Sequence, residues 1–242
     1  IIDVSDQPEK WDAADALAEG WTADMVGVLL GQVHALPAKT YGEDFAPSKI
    51  QPRPWIISGL YLRGYLTAII APGGVGKTLL ALTSAIAVAT GRALLHFELA
   101  EMCNVLYINN EDDHDEMDRR VAAICIKFGI SYSELTGKLF TFSGYGNPLT
   151  IAKKDKYGDF VVHPDSERLK QFCHDKRIGL VVIDPFISTH NAPENDNSAI
   201  EQVVTEYRAI AKDIQAAMCL VHHTAKNRED SEAHAGDLHA GR

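Results

Sequence analysis

Residues 65–78 constrain this chain more than any other stretch. The apolar run Tyr65-Leu66-Thr67-Ala68-Ile69-Ile70 leads directly into Ala71-Pro72-Gly73-Gly74-Val75-Gly76-Lys77-Thr78, and an alanine- and leucine-rich stretch, Leu79 to Thr90, follows. This reads as a strand, a glycine-rich turn and a helix, the context that gives a phosphate-loop motif its meaning. Gly73, Gly74 and Gly76 let the backbone curl until its N–H groups point inward, as they must to hold an anion. The helix behind them adds the positive end of its dipole. On this reading Pro72, Gly73, Gly74, Val75, Gly76, Lys77, Thr78 and Leu79 form a cradle for the phosphates of ATP. Lys77 reaches the β- and γ-phosphates, and the Thr78 hydroxyl ligates Mg2+. The general pattern opens with glycine where this chain has Ala71. Alanine is the smallest replacement and leaves the turn glycines untouched.

The rest of the chain bounds the setting. With 242 residues there is room for one large α/β domain and some additional sequence. No apolar run approaches the ~20 residues that span a bilayer, so no membrane partner is expected. The opening Ile1-Ile2-Asp3 has neither the basic start nor the apolar core of an export signal, and a cytoplasmic location is expected. Cys103, Cys125, Cys173 and Cys219 are far apart and form no C-x-x-C pair, as suits free buried thiols in a reducing compartment. The net charge of −10 argues against a broad duplex-DNA-binding surface, though not against a local basic loop. The chain starts without Met and ends at Gly241-Arg242, so a truncated C-terminal end and a longer parent protein are expected; processing or trimming would look the same.

Residues 1–52 read as a linker or appended helical segment. A helix is expected over Trp11–Glu19 and another over Thr22–Val33, followed by a stretch broken by Pro37, Pro47, Pro52 and Pro54. Residues 53–242 read as the core domain. Strands are expected at about 65–70, 104–109, 139–142, 179–184 and 217–222. Helices are expected at about 77–90, 114–128, 165–176 and 198–215, with an excursion, in hairpin form, over 143–163. In the helix over 114–128, Met117, Val121, Ile124 and Phe128 fall at helical spacing. Alternating strands and helices, with almost uninterrupted apolar strands, predict a mainly parallel twisted sheet covered by helices on both faces. Ligands of such sheets bind at the carboxyl ends of the strands.

Three polar constellations fall at such ends. Leu180-Val181-Val182-Ile183-Asp184 is an apolar strand ending in a carboxylate that can hold the Mg2+ water shell beside Thr78. Tyr107-Ile108-Asn109-Asn110-Glu111-Asp112 ends the strand after the phosphate-loop helix. Hydrolysis needs a group that orients the attacking water, and Glu111 is placed for it, with Asp112 as the alternative. Asp113, Asp115 and Glu116 suit a helix N-terminus instead. Val221-His222-His223-Thr224 ends the last strand, where either histidine could contact the γ-phosphate. A metal-ligating pair or plain loop residues are the other readings. Neighbours on an extended segment point to opposite sides, which disfavours one metal between them.

Four strings in this order, APGGVGKT at 71–78, YINNED at 107–112, LVVIDP at 180–185 and HHTAK at 222–226, resemble the RecA-like P-loop ATPases. Within that family the strings resemble the branch typified by plasmid-encoded RepA replicative helicases. The resemblance implies a RecA-like α/β core that assembles as a homo-oligomer, a hexameric ring around single-stranded DNA. It implies Lys77 and Thr78 at phosphate and Mg2+, Asp184 at Mg2+, Glu111 at the attacking water, and His222 or His223 as γ-phosphate sensor. The family completes its site with an arginine from a neighbouring subunit, for which Arg228 and Arg242 are the choices left. Residues 8–20 are similar to the sequence that follows primase-type domains of phage and mobile-element proteins, although an ordinary amphipathic helix would read alike. By position, loops 185–198 and 227–241 are the candidate DNA contacts; both are acidic. The basic cluster Lys153, Lys154 and Lys156 suits a solvated hairpin tip.

The leading expectation is a DNA-dependent ATPase, a replicative helicase or its motor domain. The alternatives are a non-unwinding regulatory or recombination-type ATPase that uses nucleotide state as a switch, and a phosphotransferase, for which no arginine-rich lid is visible.

Overall fold

A strand that is apolar at every position needs cover on both faces, and a parallel sheet between two helical layers supplies it. The computed structural model, which describes residues 18–22, 38–42, 45–154, 160–192 and 196–224, has that arrangement. The chain divides into two compact units, Ile1–Gln51 and Pro52–Arg242. In the first unit the described residues include a short 3-10 turn, Pro47–Lys49, and Tyr41 edge-on to Phe45 with ring centroids 5.0 Å apart. The helices expected over Trp11–Glu19 and Thr22–Val33 fall almost wholly outside the described residues.

The second unit opens with a small antiparallel pair, β1 (Trp55–Ile57) and β2 (Tyr61–Leu62). The main sheet contains β3 (Leu66–Pro72), β4 (Asn104–Asn109) and β5 (Leu139–Ser143). A hairpin follows, β6 (Ala152–Lys154) with β7 (Phe160–Val162), before the sheet resumes with β8 (Ile178–Asp184) and β9 (Ala217–Thr224). The five main strands run in the order β3-β9-β8-β4-β5 and every pairing is parallel. Among the described residues the α-helices of this unit are α1 (Lys77–Thr90), α2 (His114–Phe128), the single-turn α3 (Tyr132–Leu135), α4 (Asp165–Lys176) and α5 (Asn197–Asp213). The chain therefore has the RecA-like α/β architecture expected of it. Strands β3 and β9 each run two residues beyond their expected ends. The β1–β2 pair and α3 were not anticipated.

Side chains on a strand alternate between faces, and the two cores sort accordingly. Val105 and Tyr107 of β4, Leu180 and Val182 of β8, and Cys219 and Val221 of β9 pack with Ala81, Ile86 and Ile124 on the α1–α2 face. Leu106, Ile108, Val181, Ile183, Met218 and Leu220 pack with Leu169, Val203 and Tyr207 on the α4–α5 face. In α2, Met117 and Ile124 are buried, while Val121 and Phe128 pack partly against the same core. Cys125, Cys173 and Cys219 are buried free thiols and Cys103 is half-buried.

The same alternation carries through the strand ends. Asn109, Asp184 and His223 continue the α1 face, whereas Asn110 and His222 continue the opposite one. Asn110 braces that other side: its side chain donates to the carbonyls of Leu149 and Ser188, both at 3.2 Å, and accepts from the Leu149 amide at 3.1 Å. Gly144 is required beside it, because a Cβ there would lie 2.0 Å from the Asn110 Oδ1. Among the described residues, no helix is long and apolar enough to cross a membrane.

Candidate functional site

The N-terminus of α1 differs from those of α2, α3 and α5 in what satisfies its amides. Asp113, Ser131 and Asp196 cap those three helices through their side chains. The cap of α1 is Gly76, which has no side chain to offer, and no acidic residue lies in the first turn. A helix left uncapped keeps its first N–H groups and its dipole for an outside anion. Gly74 and Gly76 hold φ values of 82° and 89°, in the left-handed region where a Cβ is strained. Ala71, by contrast, is a residue of β3 and is not left-handed. The departure from the general glycine pattern therefore falls where the backbone makes no demand for glycine.

Lys77 is almost fully buried, 5% exposed. Its Nζ donates to the carbonyls of Ala71 and Pro72, each at 2.6 Å. These bonds span the turn and hold the ammonium against the phosphate loop. An ammonium has three donors, so two are engaged here and one is left over.

A cavity of about 430 Å3 opens at this loop, lined by Gly74, Gly76, Lys77, Thr78, Leu79, Arg120 and His223. The pairing of β3 with β9 explains the histidine: Ala71 lies opposite His223, and β9 sits between β3 and β8. Of the two histidines considered from sequence, His223 lines the cavity. His222 does not; its ring lies 6.0 Å from that of Phe186 on the other face, and its buried Nδ1 has no hydrogen-bond partner among the described residues. The described residues contain no cluster of three or more His, Cys, Asp or Glu able to hold a metal ion by themselves.

Arg120 was missed from sequence. It stands one turn after Glu116 on α2, where an ordinary i,i+4 surface ion pair would look the same. Its Nε does bond Glu116 at 3.0 Å, but its Nη1 also meets Asp112 at 2.7 Å, and the side chain lines the cavity. An arginine there offers a planar, permanently charged donor set to a phosphate or a base. Replacing Arg120 with alanine should weaken nucleotide binding roughly ten- to hundred-fold, the equivalent of one charge-assisted hydrogen bond. Titration with a fluorescent ATP analogue would measure this, and wild-type affinity would exclude a contact with the ligand.

The two candidate carboxylates after β4 differ sharply. Asn109 organises the turn: its Oδ1 accepts the amides of Glu111 (2.8 Å) and Asp112 (2.9 Å), and its Nδ2 donates to Asp112 at 2.7 Å. Asp112 is thus held by Asn109 and Arg120 together. The carboxylate of Glu111 is exposed and bonds no described residue, so it is the oxygen pair left free. Neither Glu111 nor Asp184 borders the cavity directly.

Asp184 is 2% exposed at the end of β8. Its Oδ2 accepts a 2.7 Å hydrogen bond from the hydroxyl of Tyr107, itself 1% exposed, across the β4–β8 pairing. Burial first, and the neighbouring carboxylate next, push the Tyr107 hydroxyl well above its ordinary pKa, so it remains a proton donor. Among the described residues no basic side chain forms an ion pair with Asp184. A buried carboxylate with one neutral donor is short of compensating charge. A divalent cation would supply it, so Asp184 fits a ligand of Mg2+.

Arg228, Arg242, Lys156 and loop 227–241 lie outside the described residues. A family model described as an AAA domain matches residues 32–229, a span that takes in every string from the phosphate loop to the paired histidines.

Proposed function

Since the chain belongs to this AAA-domain family, whose members are nucleotide-binding ATPases, we propose that it binds and hydrolyses Mg-ATP as the motor of a DNA-dependent ATPase, a replicative helicase working as a hexameric ring on single-stranded DNA. The observation that carries the ATPase reading is the uncapped start of α1 facing a cavity lined by Lys77, Thr78, Arg120 and His223. Backbone amides of residues 73–79 bind the phosphates, and Lys77 transfers its donors from the Ala71 and Pro72 carbonyls to phosphate oxygen. Thr78 and Asp184 would hold Mg2+, which when bound would supply positive charge to the phosphate oxygens. Glu111 orients the attacking water and takes its proton. His223 is the group of the pair that meets the γ-phosphate.

The helicase reading rests on the order of the four strings and on their resemblance to the RepA branch. It is tested by steady-state ATPase assays with and without single-stranded DNA at two protein concentrations. Strong stimulation, with specific activity rising with concentration, is the expected result for a motor whose sites are completed between subunits. Hydrolysis that is indifferent to DNA would replace this reading with the regulatory or recombination-type switch.

A further inference from the structure

Asp184 does not stand alone at the end of its strand. Both oxygens of a free carboxylate can face a cation. Here Oδ2 is taken by the Tyr107 hydroxyl at 2.7 Å, and Oδ1 is the oxygen without a protein donor among the described residues. The donor is rigidly placed. Tyr107 is in the middle of β4, 1% exposed, within the core between the sheet and α1. Its strand is hydrogen-bonded to the strand of Asp184 along five consecutive residue pairs, from Val105–Leu180 to Asn109–Asp184.

We propose that Tyr107 is a positioning residue for the metal: by holding Oδ2 it leaves Asp184 a single oxygen without a protein donor for a cation, and so selects Mg2+ over a larger cation. The inference rests on the reading of Asp184 as the metal carboxylate. Mg2+ demands near-octahedral geometry, keeps several of its waters, and takes few carboxylate oxygens. Ca2+ accepts a carboxylate through both oxygens and tolerates irregular geometry. A carboxylate pinned at one oxygen suits the first and penalises the second. Phenylalanine at 107 would keep the ring and its packing while releasing Oδ2. Hydrogen-bond partners of metal ligands typically contribute ten- to hundred-fold to metal affinity.

The test measures binding and not turnover. A fluorescent ATP analogue is titrated into the 242-residue chain in EDTA, then at graded Mg2+ and at graded Ca2+, for the wild type, Tyr107→Phe and Asp184→Asn. The expected result for Tyr107→Phe is an unchanged affinity in EDTA, a Mg2+ requirement raised roughly ten-fold or more, and a Ca2+ requirement unchanged or lowered. Asp184→Asn should raise the requirement for both ions. If Asp184→Asn raises the Mg2+ requirement and Tyr107→Phe does not, the positioning role is wrong and the metal assignment stands. If Tyr107→Phe weakens binding equally in EDTA and in Mg2+, its hydroxyl serves packing only, and the proposal fails in the same way. If Asp184→Asn binds Mg-nucleotide as the wild type does, the metal assignment itself falls and takes the proposal with it.

Discussion

Replacing Lys77 with alanine should abolish nucleotide binding at concentrations that saturate the wild type, while the protein stays folded. The two halves of that expectation have different origins. The ammonium bonds the carbonyls of Ala71 and Pro72, so its removal leaves two acceptors at the mouth of a cavity. Water can reach such a place, and the cost to stability is on the order of 1–2 kcal/mol. On the proposed reading, the same ammonium would face phosphate oxygens carrying most of the ligand's charge. Two charge-assisted hydrogen bonds at about 1.5–3 kcal/mol each correspond to a loss of roughly 10²- to 10⁴-fold in affinity. Arg120 is the other cation at the cavity, but Asp112 and Glu116 already hold its guanidinium. It is therefore poorly placed to substitute. Isothermal calorimetry would measure the affinity, and thermal melting without nucleotide would report the fold. Binding within a few-fold of the wild type would mean that the ligand's charged end sits elsewhere.

The sheet and its helices were legible in the sequence because every signal agreed locally. Apolar runs at 104–109 and 179–184 are too short for helices and lack alternation, and Gly91 and Gly129 stop α1 and α2 at left-handed caps. Short elements such as β1 and β2 carry no period long enough to detect. The site was legible as a set of strings but not as an arrangement. Alternation predicts that His222 and His223 face opposite ways; which of them meets the phosphate loop depends on the register of β9 against β3, a long-range pairing. The same holds for strand order. Nothing in the run 178–184 says that β9 will be inserted between it and the phosphate-loop strand. Arg120 and Tyr107 were passed over for a related reason. In sequence an arginine four residues after a glutamate reads as a surface ion pair and a tyrosine in an apolar strand as a core aromatic, and only the Asp112 and Asp184 contacts and the cavity distinguish them from those ordinary roles.

The choice between Glu111 and Asp112 is where geometry adds most, and it leads to the second large effect. Glu111→Gln should bind ATP as the wild type does and hydrolyse it roughly 10²- to 10⁴-fold more slowly, the usual contribution of a positioned general base. Glutamine keeps the size of the side chain and its exposed setting, so neither the fold nor the phosphate contacts should change. What it loses is a carboxylate with both oxygens unengaged by described residues. Asp112 cannot readily serve in its place. One of its oxygens accepts from Asn109 at 2.7 Å and it is paired with Arg120, contacts that between them engage both of its oxygens. Asp112→Asn should therefore act differently, loosening Arg120 at the cavity wall and weakening nucleotide affinity more than it slows the chemical step. Single-turnover hydrolysis, measured beside analogue binding for both variants, separates the two roles. A Glu111→Gln variant that turns over normally, with an Asp112→Asn variant that binds but does not hydrolyse, would transfer the water-activating role to Asp112. The ion pair with Arg120 would then have to open before each turnover.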